Sequence, residues 1–257
     1  MKISLITVCY NAERTLPDAI ESVLSQRGAD VEYIVVDGGS SDGSVDIIRS
    51  FEPKFAALPR DARISYRWLS EPDQGMYDAL NKGIRMASGD IVGILNSDDM
   101  FEDASTLADI AAAFDDSVDA LYADIRFVEG DRTVRYYSAG HWRPWMHNWG
   151  YMPPHPSVYI RRTIFDRLGL YKLGYRISAD FELMVRFFCR NRIRTKYLPR
   201  CVVKMRPGGL STAGIKSKLR LNRENVRANR ENGYFSCFAM MLPKYAYKIL
   251  GVIFPHR

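Results

Sequence analysis

The stretch Leu69–Asp99, LSEPDQGMYDALNKGIRMASGDIVGILNSDD, decides the fold. Helical spacing over Tyr77–Ala87 gives way to a continuous apolar run, Ile91-Val92-Gly93-Ile94-Leu95, which ends at Asn96-Ser97-Asp98-Asp99. Two carboxylates released at the carboxyl end of a buried strand are costly unless something cationic joins them. A divalent metal holding a diphosphate meets that need, because hard cations take oxygen ligands and keep positions open for phosphate. Helix capping, with Asp99 or Asp103 opening the next helix, is the plainer reading of the acids. It leaves SEPDQG and NKG without a purpose.

The pattern upstream agrees. Lys2–Val8 reads as a buried strand, and Leu16, Ala19, Ile20, Val23 and Leu24 follow at helical spacing with Pro17 in the first turn. Val31–Val36 is a second strand that ends in the turn Asp37–Gly43, Ser44–Phe51 a short helix, and Ile64–Leu69 a third strand. Strands alternating with helices predict an α/β chain with an open, mainly parallel, Rossmann-like sheet and right-handed crossovers. Ligands of such sheets sit beyond the carboxyl ends of the strands, so Thr7–Asn11, Asp37–Asp42 and Asn96–Asp99 should converge. Further strands are expected at Ala120–Val128, Val134–Tyr137 and Val158–Arg161, a helix at Ala179–Asn191, a loop at Arg206–Ser211 and a basic helix at Lys216–Asn232.

At 257 residues, 47% of them apolar, the chain has room for one large or two modest domains. No secretory leader is visible, and Cys9, Cys189, Cys201 and Cys237 are too scattered for a zinc site, so reduced thiols in a cytoplasmic protein are expected. The net charge of +6 hides an asymmetry: from Val185 onward 17 Lys and Arg face only Glu224 and Glu231. A basic tail on an acidic body suits nucleic acid, an anionic membrane or a phosphate-bearing substrate. Neither GxGxxG nor GxxxxGK[ST] occurs, which removes the main support for a dinucleotide dehydrogenase or a P-loop enzyme.

Taken in order, ITVCYNAERTLPDAIESVLSQ (6–26), EYIVVDGGSSDGSVDII (32–48) and SEPDQG…NSDD (70–99) resemble family-2 glycosyltransferases of bacterial surface-polysaccharide and O-antigen synthesis. PHPSVYIRRTIFDRLGLYKLGYRISADFELMVRF (154–187) and MRPGGLS (205–211) look like the same family, so the resemblance runs from about residue 2 to 212. It implies a GT-A fold, a nucleotide-diphosphate sugar donor (a UDP-sugar foremost), Mg²⁺ or Mn²⁺, and transfer with inversion to a glycan or lipid-linked saccharide. Residues 1–100 would form the nucleotide-binding half of a catalytic domain, 101–212 its acceptor-binding half, and 213–257 a helical extension.

Site roles carry over by position. Thr7, Tyr10 and Asn11 match the first nucleotide-contacting loop, Asp37 the contact to base or ribose, and Asp73 and Asn81 donor-site positions. Asp98 matches the last acid of the metal-binding DxD, with Asp99 beside it, although Asn96 stands at the first position. His155 matches a histidine on the acceptor and metal side. Asp180, in Ala179-Asp180-Phe181-Glu182, matches the catalytic base that takes the acceptor proton; Glu182 is the more structural of the two acids. Arg206 and the PGGLS loop would close over the diphosphate.

Phe238–Phe254 is apolar apart from Lys244 and Lys248, yet shorter than the ~20 residues a spanning helix needs. After a basic helix it suits peripheral attachment to the anionic cytoplasmic face of the inner membrane. Packing on the domain, or on a second copy in a homo-oligomer, is the alternative. Two rival functions remain: a sugar nucleotidyltransferase, which should carry a Gly-rich basic loop after the first strand where CYNAERT stands, and a nucleic-acid binder using the tail, which leaves the strand-end acids unexplained.

Overall fold

The computed structural model describes residues 1–208 and 214–243. Its first half alternates as the periodicity requires: β1 (Lys2–Cys9), α1 (Leu16–Leu24), β2 (Asp30–Asp37), α2 (Ser44–Ala56), β3 (Ile64–Ser70), α3 (Met76–Met86) and β4 (Ile91–Ile94). These strands lie parallel in the order β3-β2-β1-β4. β2 is buried from Val31 through Asp37, as a strand covered on both faces must be. One apolar layer holds Leu16, Ile20 and Val23 of α1 with Ile48 and Phe51 of α2; the other holds Tyr77, Leu80 and Ile84 of α3.

The chain continues through β5 (Met100–Phe101), α4 (Thr106–Ala113), β6 (Ala120–Glu129), β7 (Arg132–Tyr137), β8 (Tyr159–Arg161), α5 (Arg162–Leu168), α6 (Ala179–Met184), β9 (Thr195–Met205) and α7 (Ile215–Glu231). The sheet extends from β4 as β8-β6-β9-β5, with β7 on β6. β8 runs antiparallel to both β4 and β6, so the added half is mixed rather than parallel. The helix expected over Ala179–Asn191 is α6 followed by a π turn, Val185–Arg190. There Arg186 turns back to donate to the carbonyls of Leu168, Gly169 and Leu170. β5, α4, α5 and β9 are additions to the sequence reading.

α7 lies against α6 and buries Asn222, Asn225, Asn229 and Asn232 rather than an apolar stripe. Asn229 meets both the ring Nδ1 and the carbonyl of His147, and Asn232 donates to Glu182 and to the Ala228 carbonyl. Beyond it Phe238–Met241 forms a 3₁₀ turn with Met241 buried. Residues 209–213 of the expected loop and 244–257 of the apolar tail lie outside the described residues. Among the described residues no helix is long and apolar enough to cross a membrane.

The two halves of the sheet meet where β4 pairs with β8, and there Gly93 makes room for the Tyr159 ring. A Cβ on Gly93 would lie 2.2 Å from a ring carbon of fully buried Tyr159. Gly93→Ala should therefore destabilise the protein by about 1–3 kcal/mol, the usual cost of overpacking a core. Urea unfolding checks this, and an unchanged midpoint would refute it.

Candidate active site

The carboxyl ends of β1 and β2 are fastened to each other. Asn11, at φ 50°, donates its amide to Ser40 Oγ at 2.8 Å, and its side-chain oxygen accepts from the Ser41 amide at 2.9 Å. The Ala12 and Glu13 amides reach Ser44 Oγ and Asp42, and Gly43 donates to Glu13. Tyr10 projects from this knot with 65% of its surface free. Thr7 does not reach it: fully buried in β1, it accepts from Tyr33 Oη at 3.1 Å.

Asp37 is buried at the tip of β2. Burial alone would raise its pKa, but Ser40, Ser70 and the amides of Ser40 and Gly39 all donate to it and hold it below the usual carboxylate range. Its acceptor capacity is thus already given to the turn. Next to it Gly38 has no side chain, and a Cβ there would collide with the Asp73 carboxylate at 2.3 Å. Asp73 meanwhile accepts from the Gly75 amide just ahead of α3.

Asp99 is treated in the opposite way. It is fully buried in the turn after β4, where Asn96 Nδ2 donates to Oδ2 at 2.7 Å while Oδ1 has no partner among the described residues. Burial, with the Asp98 charge beside it, pushes its pKa up to about 8, and Asn96 and Arg206 offset only part of this. Arg206 follows β9, pairs with Asp18 of α1, and has a buried Nη1 without a partner among the described residues. A carboxyl oxygen and a guanidinium nitrogen, both without a described partner and electrostatically coupled, fit a divalent cation with a diphosphate. Among the described residues no cluster of three acids, histidines or cysteines is preformed to hold a metal.

A second cluster surrounds Asp180 in the first turn of α6. Tyr77 Oη of α3 lies 3.1 Å from Asp180 Oδ1 and also donates to the Ile177 carbonyl. Burial raises the Asp180 pKa, only partly countered by His155 and by hydrogen bonds from the Phe181 amide and Tyr77. His155 sits here rather than beside Asp98 and Asp99: its Nε2 meets Tyr171 Oη at 2.7 Å, and burial lowers its pKa, so the ring is neutral. Asn81 is buried beneath, its amide exchanging two 2.9 Å bonds with the backbone of Tyr171. It holds the tyrosine that meets His155. Glu182 is fully buried between Lys172 and Arg186, both at 3.0 Å.

Tyr77 and Tyr171, stacked at 5.7 Å, are the parts of this cluster that the sequence reading passed over. A tyrosine on the buried face of a helix needs a partner for its hydroxyl, and Tyr77 beside SEPDQG carried that signal.

A family model for "Glycosyl transferase family 2" matches residues 4–179. The chain belongs to glycosyl transferase family 2. A Mycobacterium bovis relative named PGL/p-HBAD biosynthesis glycosyltransferase is 31% identical over 211 residues, covering 81% of this chain and 78% of the relative. An uncharacterised glycosyltransferase of Mycobacterium tuberculosis is 32% identical over 196 residues, 72% of this chain and 68% of its own. Among solved structures, S. aureus TarS with UDP-GlcNAc superposes with a TM-score of 0.67 at 17% identity, covering 95% of this chain and 71% of TarS. Mannosyltransferase PcManGT from Pyrobaculum calidifontis, in complex with GDP-Man and Mn²⁺, gives 0.63 at 18% identity over 97% of this chain and 70% of its own. The fold of this family-2 glycosyltransferase is GT-A, and the nucleotidyltransferase and nucleic-acid readings lose their support.

The raised pKa of Asp99 has a measurable sign. Between the ordinary carboxyl value and about 8 the unfolded chain releases this proton while the folded chain keeps it, so stability falls as pH rises through that window. Asp99→Asn should remove this contribution, on the order of 1 kcal/mol per pH unit within the window. Without divalent metal, the variant should gain on wild type between pH 5 and pH 8 in urea unfolding. A gap between the two that does not change with pH would refute the assignment.

Proposed function

We propose that this family-2 glycosyltransferase moves a sugar from a nucleotide-diphosphate sugar, a UDP-sugar foremost, to a hydroxyl of a glycan or lipid-linked saccharide in cell-surface polysaccharide synthesis. The observation that carries the donor half is the coupled pair of unpartnered atoms, Asp99 Oδ1 and Arg206 Nη1, at the carboxyl end of the parallel sheet. The nucleotides bound by TarS and PcManGT support the same donor class. Exposed Tyr10 offers a face for the base, Asn11 and Asp37 hold the loops that frame it, and Asp73 stands beside Gly38.

Asp98 and Asp99 would hold Mg²⁺ or Mn²⁺, which supplies Lewis-acid stabilisation of the departing diphosphate. Arg206 contributes fixed positive charge to the same oxygens. Asp180 takes the proton of the acceptor hydroxyl as that oxygen attacks the anomeric carbon. Attack from the face opposite the leaving diphosphate is a single displacement and inverts the anomeric configuration. A base with a raised pKa is a better proton acceptor than an ordinary aspartate. Neutral His155, next to Asp180, is suited to a hydrogen bond with the acceptor rather than to the metal. In this reading residues 1–100 serve the donor and 101–212 the acceptor.

Thermal-shift screening of nucleotide-sugars with Mn²⁺ or Mg²⁺ identifies the donor, since ligands of the native state raise its stability. With that donor, Asp180→Asn should keep donor affinity and lose about 10²–10⁴-fold in turnover, as an amide cannot take a proton. Wild-type turnover by the folded variant would sink the base role.

The outer face of α7 favours an anionic membrane surface as the enzyme's workplace. Lys216, Lys218, Arg220 and Arg223 are exposed there, and Arg223, Arg227 and Arg230 outnumber Glu231 in a groove of about 440 Å³ that they line with Val226 and Phe238. Phe235 is 79% exposed beside it. The protein should float with vesicles containing phosphatidylglycerol and not with neutral ones, more weakly as salt rises, because each basic residue near an anionic surface contributes about 1 kcal/mol. Failure to float, or self-association that covers Phe235, would replace the membrane with a second copy of the chain.

A further inference from the structure

Glu224 is one of only two acids in the basic tail, and the donor chemistry makes no use of it. Its carboxylate accepts three successive backbone amides, from Arg176 at 3.1 Å and from Ile177 and Ser178 at 2.9 Å each. Consecutive amides converging on one anion form a nest, filled here by the protein's own side chain. This tripeptide leads directly into α6: Ser178 is its N-cap residue and Asp180 lies in its first turn. From the other side the Ile177 carbonyl accepts from Tyr77 Oη, the hydroxyl that also lies against Asp180. The approach to Asp180 is therefore gripped through its amides by α7 and through its carbonyl by α3.

The other acid of the tail extends the grip. Glu231 binds Lys172 and Tyr175 Oη at 3.0 and 2.9 Å, while Arg227 donates to the Gly174 carbonyl and lies 4.5 Å over the Tyr175 ring. Both acids of this otherwise basic helix thus bond the one segment that carries the base, Glu224 through its backbone amides and surface-exposed Glu231 through Lys172 and Tyr175.

We propose that Glu224 is a positioning residue for Asp180, so that α7 is a working part of the acceptor site. The inference rests on the reading of Asp180 as the base. Without the carboxylate, three amides lose their common acceptor, the start of α6 relaxes, and the Asp180 oxygens leave the line of the acceptor proton. A displacement of about 1 Å at a reacting group is enough to lower turnover about 10²-fold.

Steady-state kinetics of Glu224→Ala and Glu224→Gln, alone and combined with Asp180→Asn, test this. Glu224→Ala should lose about 10²-fold in kcat while donor KM stays within about twofold, because donor contacts lie on other elements. Glu224→Gln, whose one side-chain oxygen keeps part of the nest, should fall between Glu224→Ala and wild type. In the Asp180→Asn background neither change should lower the residual rate further, since there is no base left to position. Full kcat in either folded single variant would overturn the proposal, and so would an undiminished further loss in the Asp180→Asn background. Failure of the base reading looks different: Asp180→Asn itself would then turn over normally.

Discussion

A steric allowance at one glycine holds the two halves of this enzyme in register. β4 and β8 share only two paired positions, Ile91 with Arg161 and Val92 with Ile160, yet this seam joins the parallel half of the sheet to the mixed half. The ring of Tyr159 crosses it over Gly93, where any Cβ would intrude. α5 begins at Arg162, immediately after β8, and the chain then runs through Tyr171 to Asp180. The placement of the candidate base relative to the strand-end acids is therefore inherited from the seam, and closely packed interiors transmit such constraints with little give.

The three central aspartates show how environment divides labour among identical side chains. Asp37 is saturated with donors, stays ionised and organises a turn. Asp99 is starved of donors, resists ionisation and gains most from a cation. Asp180 lies between these extremes, buried against a tyrosine hydroxyl and a neutral histidine, with an affinity for protons above that of a free aspartate. Asp180 meets Tyr77 in the first turn of α3, and Asp73 lies just ahead of the same turn. Strong perturbation of titratable groups around a common element is what a catalytic cleft requires.

The parallel half was legible because parallel strands are covered on both faces and therefore read as unbroken apolar runs between amphipathic helices. The mixed half was not. In β9, Pro199 and Arg200 fall at an irregularity of the β6 pairing, between Leu198 opposite Ala123 and Cys201 opposite Asp124, and this breaks any alternation. β5 is two residues long. α7 registered as a basic helix, but its buried stripe is asparagine, which a search for apolar periodicity passes over. At the site, acids at strand ends could be seen in the sequence. What each side chain bonds to could not: Thr7 and Asn81 sit at the matching positions yet spend their hydrogen bonds on Tyr33 and Tyr171. Likewise Glu224 finds its three amides 46 to 48 residues away in the chain.

The π turn at Val185–Arg190 follows directly on the α-helical turns that carry Asp180. It holds one residue more than the α-helix it interrupts, and Phe187 and Phe188 within it are buried in the core. The wider turn takes up its extra residue locally, so Phe187 and Phe188 fill the core while Arg186, between them and α6, reaches the carbonyls of Leu168, Gly169 and Leu170.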